Sequence, residues 1–419
     1  MKHLAQLIAI AAILASTLAH AHATTFTPIS DPNQYLRASA LSADGSSIIG
    51  TTGLYSDGAF HWSRSAGITL LPQIAPDSET QPRLISADGS VVYGVIHSYD
   101  GVNNSNQAYR WTASTGLTMF GAPYSHPEFY PYAASADGNI AAGFQFTSPG
   151  VEAIRWTPAG GPQPLGFLPG WENSTAVVIS ADGNVIGGNG STSDSGEAFR
   201  WTPAAGMQPL GHLSATDEIS SVTAMTPDGS VLAGNSGSSY AKDAPAFRWT
   251  STGGMTPLSD HPAYPTLIST DGSVIVGTLG TQPERLFRWT QPTGVVDLGV
   301  LDPNAPPDGH VFPTAMSADG SIIVGIANIP GSNAGFIWDQ QGGLRSIQEF
   351  LTQEMGLDLT GWTITTADGI TPDGLTLAGS GEHNGQGEAW IATIPEPASF
   401  SLLTIGALLI SSFRGVKSK

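Results

Sequence analysis

The 419-residue chain carries 34 acidic against 15 basic residues, a formal net charge of −19 at pH 7. A surface so charged repels nucleic acid and anionic lipid, and suits cations or neutral sugars as partners. The absence of cysteine excludes a disulfide framework, and 51 glycines with 30 prolines and only 12% charged residues exclude a fold built on long helices.

From the amino end, Lys2, the apolar run Leu4 to Leu18 and Ala21-His22-Ala23 compose a secretory signal with a small-x-small cleavage site. Residues 1–23 are therefore expected to leave after Ala23, with the mature chain starting at Thr24. A short strand, FTPISD from Phe26 to Asp31, follows.

A repeat then takes over. Asp-Gly-x-x-x-x-Gly begins at Asp44, Asp88, Asp137, Asp182, Asp228, Asp271, Asp319 and Asp373, 43 to 54 residues apart. Each motif is followed by a tryptophan: Trp62, Trp111, Trp156, Trp201, Trp249, Trp289, Trp338 and Trp390. That period fits one four-stranded propeller blade. The unit from Ser174 to Gly211 shows the pattern: short β-branched or aromatic runs (STAVVIS, NVIGG, EAFRWT, GMQPLG) bounded by Gly, Pro, Ser, Asn and Asp. The Asp-Gly pair forms the turn between strands one and two. Arg110, Arg155, Arg200, Arg248 and Arg288 precede the tryptophan, and each is expected to meet the aspartate of its own unit, as Arg200 with Asp182.

Between Trp338 and Asp373 an insertion holds SIQEFLTQEM, Ser346 to Met355, with Ile347, Phe350 and Leu351 on one helical face. It predicts a short helix that covers the closure seam or, alternatively, docks a partner. The eighth unit ends after its third strand, Glu388 to Thr393, and its missing fourth strand is supplied by the amino end, whose FTPISD matches the MTPLSD of Met255 to Asp260. The expected fold is thus all-β: an eight-bladed β-propeller over 24–394, its last blade completed by the N-terminal strand. An open solenoid is the alternative, and it gives the two ends no reason to match. Residues 395–419 form a tail: Pro395-Glu396-Pro397, the apolar segment Ala398 to Phe413, then Arg414, Lys417 and Lys419. Such a segment can act as a membrane stop with its basic end on the cytoplasmic side. Loss of Lys2, Arg414, Lys417 and Lys419 takes four of the 15 basic residues and none of the 34 acidic ones, a balance of about −23.

The tail resembles the PEP-CTERM sorting signal of Gram-negative bacteria, with Pro395, Glu396, Pro397, the apolar run and Arg414 matching its three parts in order. The resemblance implies transient membrane anchoring, cleavage by an exosortase-type membrane peptidase and release to the surface or matrix of organisms that make exopolysaccharide. The repeats, in EAFRWT at Glu197 and GMQPLG at Gly206, resemble the HAF family of extracellular repeats, which implies an extracellular repeat protein without an established activity.

Variable loops on a rigid scaffold are where binding resides. The loops joining strands two to three, and each unit to the next, hold His97, His126, His212, His261, His310 and His383, with Asp100, Glu128, Asp194 and Glu197. Aromatic faces beside polar groups suit sugar rings, and Tyr99, Tyr130, Tyr132, Trp171, Glu172, Tyr264 and His383 are the expected ligand contacts. No metal or other cofactor is expected, since histidines lie scattered and Ser193 to Glu197 lacks the spaced ligands of a calcium loop. Nor does any carboxylate pair or Gly-x-Ser-x-Gly elbow mark a catalytic centre. The expectation is a non-catalytic surface or matrix module that binds polysaccharide or a surface protein. The alternative is a carbohydrate-active hydrolase or lyase, which would gather carboxylates from several blades at the channel mouth.

Overall fold

The computed structural model describes residues 24–395 except 54–57, 75–77, 100–103, 121–128, 149, 239–243 and 305–308. Each unit folds as an antiparallel meander. In one, Asn173–Ile179, Ile186–Ser191, Gly196–Thr202 and Gly206–Pro209 pair in chain order. Among the described residues the strands form eight such four-stranded sets, numbered here from the one that begins at Leu36–Leu41. Sets four to six continue as one sheet, because Gly196 pairs with Ile219 and because Gly254–Ile268, which the sequence reading ends at Asp260, closes set five and opens set six without a break.

The sets stand in a closed ring. Their first strands touch in sequence, and Trp362–Ile370 of set eight touches both Val311–Met316 of set seven and Leu36–Leu41 of set one. Apolar clusters fill each gap between neighbours. Strand alternation supplies them: in Ala198-Phe199-Arg200-Trp201, Phe199 packs back on Ala142 and Ala153 of set three, while Ala198 receives Phe247 of set five. A small residue on one face thus accommodates the ring of the next set, and burial of each such ring contributes about 2–3 kcal/mol. This is β-propeller packing.

The glycine that ends each motif is needed mid-strand. The first strand bulges beside it, as between Val222 and Ala224, and pushes a carbonyl toward it. A Cβ on Gly234 would lie 1.8 Å from the Ser221 oxygen and 2.9 Å from the Phe247 ring. Opposite these glycines stand rings such as Phe60, Phe199, Phe247 and Phe336, and in set eight Trp390. Trp390 therefore replaces Phe199, not Trp201, and it is fully buried, whereas Trp201 keeps an exposed edge.

The turn aspartates serve their own turns. Ser180 Oγ donates to Asp182 Oδ1 at 2.6 Å and the Asn184 N–H donates to the same oxygen at 3.0 Å, which lowers that carboxyl to about 2. A Ser or Thr two residues ahead does the same in all eight turns. The expected Arg200 to Asp182 contact is not formed. Arg200 Nε instead donates at 3.3 Å to the carbonyl of Gly229 in the next set, and Arg155, Arg248 and Arg288 reach Gly183, Gly272 and Gly320 alike. The aspartate is already supplied with donors, whereas the glycine carbonyl across the gap is free. In set one His61 takes the arginine's place, with Nε2 3.0 Å from Gly89 O, and burial lowers its pKa.

Closure runs as the sequence predicts. Thr25–Ile29 lies antiparallel to Gln386–Thr393, Thr25 opposite Thr393 and Ile29 opposite Ala389. The Phe26 ring sits 5.0 Å from Trp362 and 5.7 Å from Trp390. Ile29 is 2% exposed, so Ile29→Ala is expected to cost about 2–5 kcal/mol in urea denaturation; a loss below about 1 kcal/mol would show that this strand adds little to the core. The predicted helix is a turn, Ile347–Glu349, running into a π-helix, Phe350–Glu354. Ile347, Phe350 and Leu351 are buried between sets seven and eight, which leaves no apolar face for a partner.

Candidate ligand-binding site

Every first strand alternates enclosed with open positions, as in Ser220, Ser221, Val222 and Thr223, and the open ones face the middle of the ring. Toward the loop side this upper tier carries Arg37, Gln81, Tyr130, Thr175, Ser221, Tyr264, Phe312 and Thr366. The bulges carry a second tier: Ser39, Arg83, Tyr132, Val177, Thr223, Thr266, Thr314 and Asp368. Hydroxyls and aromatic rings dominate, and Asp368 is the sole carboxylate of the two tiers.

A cavity of about 570 Å³ opens across sets three to six, bordered by Tyr132, Thr175, Val177, Ser221, Thr223, Tyr264 and Thr266, with Asn189 and Asn235 from second strands. At its set-three edge four rings cluster. Tyr130 meets Tyr132 edge-on at 5.7 Å and stacks on Phe144 at 5.4 Å, and Phe144 meets Phe146 at 5.3 Å. Tyr132 is 42% and Phe146 43% exposed. The Arg83 guanidinium lies 4.8 Å from the Tyr130 ring centre, and burial raises the Tyr130 pKa, so the phenol stays neutral. These faces can stack on a sugar while the hydroxyls exchange hydrogen bonds with it.

Two polar groups near the centre stand out. Asn189 Oδ1 accepts the Val222 N–H at 2.8 Å; the matching residue beside Asn235 is Pro265, which has no N–H. Asn235 Nδ2 donates to the carbonyls of Ala244 and Ala263, and its buried Oδ1 is left without a partner. Asp368 Oδ2 accepts from Thr366 at 2.6 Å and Ser380 at 3.3 Å. Burial nevertheless lifts its carboxyl to about 7: the group is open to the narrow centre and otherwise surrounded by protein.

Of the expected contacts, the structure brings Tyr132 and Tyr264 to the cavity, with Tyr130 behind Tyr132. Trp171 does not join them but packs into the cluster between sets three and four, and Glu172 is exposed beside it. His383 belongs to the closure, its ring stacked 4.9 Å from Trp362 and its Nδ1 3.4 Å from Glu388. Tyr99 ends the strand Val91–Tyr99, and its side chain lies outside the described ones, as do residues Asp100, His126 and Glu128. Ala23, Glu396, Pro397 and Arg414 are likewise outside the described residues. Pro395 ends them, at a second cavity of about 560 Å³ on the opposite side of the ring, with Asp339, Arg345, Phe350 and Glu354. Among the described residues no three His, Asp or Glu side chains converge on a metal position, and no helix is long and apolar enough to cross a membrane. The apolar segment predicted at 398–413 lies outside them. Sequence reasoning missed Arg83, Thr175, Ser221, Thr223, Thr266 and Asn235, because it sought ligands in loops rather than on first strands.

No protein-family model matches the chain, and no curated protein does. Solved structures are similar in fold. The Dos1 propeller matches with a TM-score of 0.54 at 12% identity over 89% of this chain and 96% of its own. A prolyl endopeptidase matches with a TM-score of 0.51 at 10% identity over 89% of this chain but 58% of its own. TolB from Acinetobacter baumannii gives a TM-score of 0.39 at 13% identity over 79% of this chain and 84% of its own. At such identities the likeness to the Dos1 propeller and the prolyl endopeptidase concerns the propeller fold alone.

Proposed function

We propose that the chain is an exported surface or extracellular-matrix protein that binds polysaccharide without cleaving it, its mature part being 24–394 after removal of 1–23 and exosortase-type processing in 395–419. The PEP-CTERM and HAF resemblances of the sequence support the location. The binding reading rests on one observation: the cavity over sets three to six, where Tyr132 and Tyr264 flank a floor of Thr and Ser hydroxyls. Two-carboxylate glycoside chemistry needs a second acid within about 5–10 Å of the first, and the two inner tiers offer Asp368 by itself.

The test is a glycan array probed with the chain, beside a turnover assay on the same polymers. Binding without turnover is expected, and Tyr132→Ala and Tyr264→Ala should each weaken it about tenfold. Turnover, or binding indifferent to both substitutions, would reject the reading; binding only to a protein partner would move the function to a different surface.

A further inference from the structure

Arginine is scarce in this chain, and nearly every described copy is occupied. Arg64, Arg155, Arg200, Arg248 and Arg288 donate to turn glycine carbonyls. Arg285 pairs with Asp297, and Arg345 with Asp339 and Glu354. Arg110 is half-buried with a buried Nε. Arg37 and Arg83 differ. Both are exposed, both project from first strands into the centre of the ring, and each meets a tyrosine: Arg37 lies 5.5 Å from the Tyr35 ring centre and is hydrogen-bonded to its phenol, and Arg83 lies 4.8 Å from the Tyr130 ring centre. A repeat structure has no need of either, since no other set carries a basic residue at the equivalent positions, which hold Gln, Tyr, Thr, Ser, Phe, Val or Asp.

We infer that the polysaccharide bound at the central cavity is acidic, and that Arg83, which lies against the Tyr130 ring just outside the cavity's lining, recognises a carboxylate on its sugar rings. The inference rests on the glycan-binding reading above and narrows it, replacing the neutral sugars expected from net charge. An anion faces long-range repulsion from the rest of the surface, but that field fades beyond a Debye length of about 8–10 Å in physiological salt. At contact the guanidinium fork grips a carboxylate with two parallel hydrogen bonds. The Tyr130 ring beneath fixes the plane of the fork, and the exposed Tyr132 face next to it takes the sugar ring to which the carboxylate is attached. Glu79 and Asp368 are the carboxylates carried by the first strands of sets eight, one, two and three, and neither forms an ion pair with Arg83 among the described residues.

The experiment measures binding of the full chain to a polyuronate and to the same polymer after chemical reduction of its carboxyls to alcohols. The polyuronate is expected to bind about tenfold or more tightly. Arg83→Gln should erase that preference, bringing affinity for the polyuronate down to that for the reduced polymer, Arg83→Lys should keep part of it, and Tyr132→Ala should weaken both polymers. Equal binding of the two polymers by the unaltered chain overturns the carboxylate inference and leaves glycan binding intact, as does an undiminished preference in Arg83→Gln. Failure to bind either polymer, or any other glycan, overturns both readings together.

Discussion

Gly234→Ala is expected to lower the stability of the propeller by about 3 kcal/mol or more. The added methyl has nowhere to go: the Ser221 carbonyl oxygen would be 1.8 Å away and the Phe247 ring 2.9 Å away. Relief requires the bulged first strand to back toward the centre of the ring, or Phe247 to withdraw from Ala198 and Leu232, and either movement opens the interface between sets four and five. Gly206→Ala is the matched control. Its φ is +69° but nothing lies within 4 Å of the new methyl, so the cost reduces to a left-handed backbone, about 1–2 kcal/mol. Urea denaturation of the two variants separates close approach from turn strain; equal losses would show that the first strand yields easily.

Asp368→Asn is expected to stabilise the protein, and by an amount that depends on pH. In the fold this carboxyl holds its proton up to about 7, against an ordinary value of 3.8. Between those values the folded state binds more protons than the unfolded chain, so stability falls as pH rises from about 4 to about 7 and is flat above. The shift corresponds to at most about 4 kcal/mol. Asparagine removes the titration and still accepts from Thr366 and Ser380. The gain should therefore be close to zero at pH 4 and reach up to about 4 kcal/mol at pH 8. The turn aspartates, among them Asp182 and Asp271 with carboxyls near 2, act in the opposite sense, losing stabilisation only as pH falls below about 4, and they cancel between variant and parent. A gain of equal size at both pH values would mean that Asp368 is not held neutral by burial.

The ring was legible because its signals are local and repeated. Asp-Gly spacing marks each first turn, and the likeness of Phe26 to Asp31 with Met255 to Asp260 marks the latch. The hydroxyl two residues before each aspartate was equally visible, in Ser180 or Thr226, but its role emerges only when Asp182 is seen to accept it. Without that, arginine looked like the natural partner of aspartate. Trp390 misled for a related reason: it follows its motif by 11 residues, like a shortened loop, yet pairs with Gly379 as Phe199 does with Gly188. The site was harder to read. Tyr132 and Tyr264 were found as aromatic residues near loops, but Trp171 and His383 have the same signature and serve packing and closure. What separates them is whether a side chain occupies an open position of a first strand, and that depends on a bulge that shifts the alternation by one residue.

Thr25 and Thr393 are partners across one pair of strands, and Ile394 is hydrogen-bonded to Leu375 in the Asp-Gly turn of its set. Both ends of the described ring therefore lie beneath the floor of the wheel, while the tyrosine-lined bowl opens through its roof. Anything that grips the protein at Pro395, where the described ring ends, holds it like a cup by the base, with the bowl turned outward to whatever surrounds it.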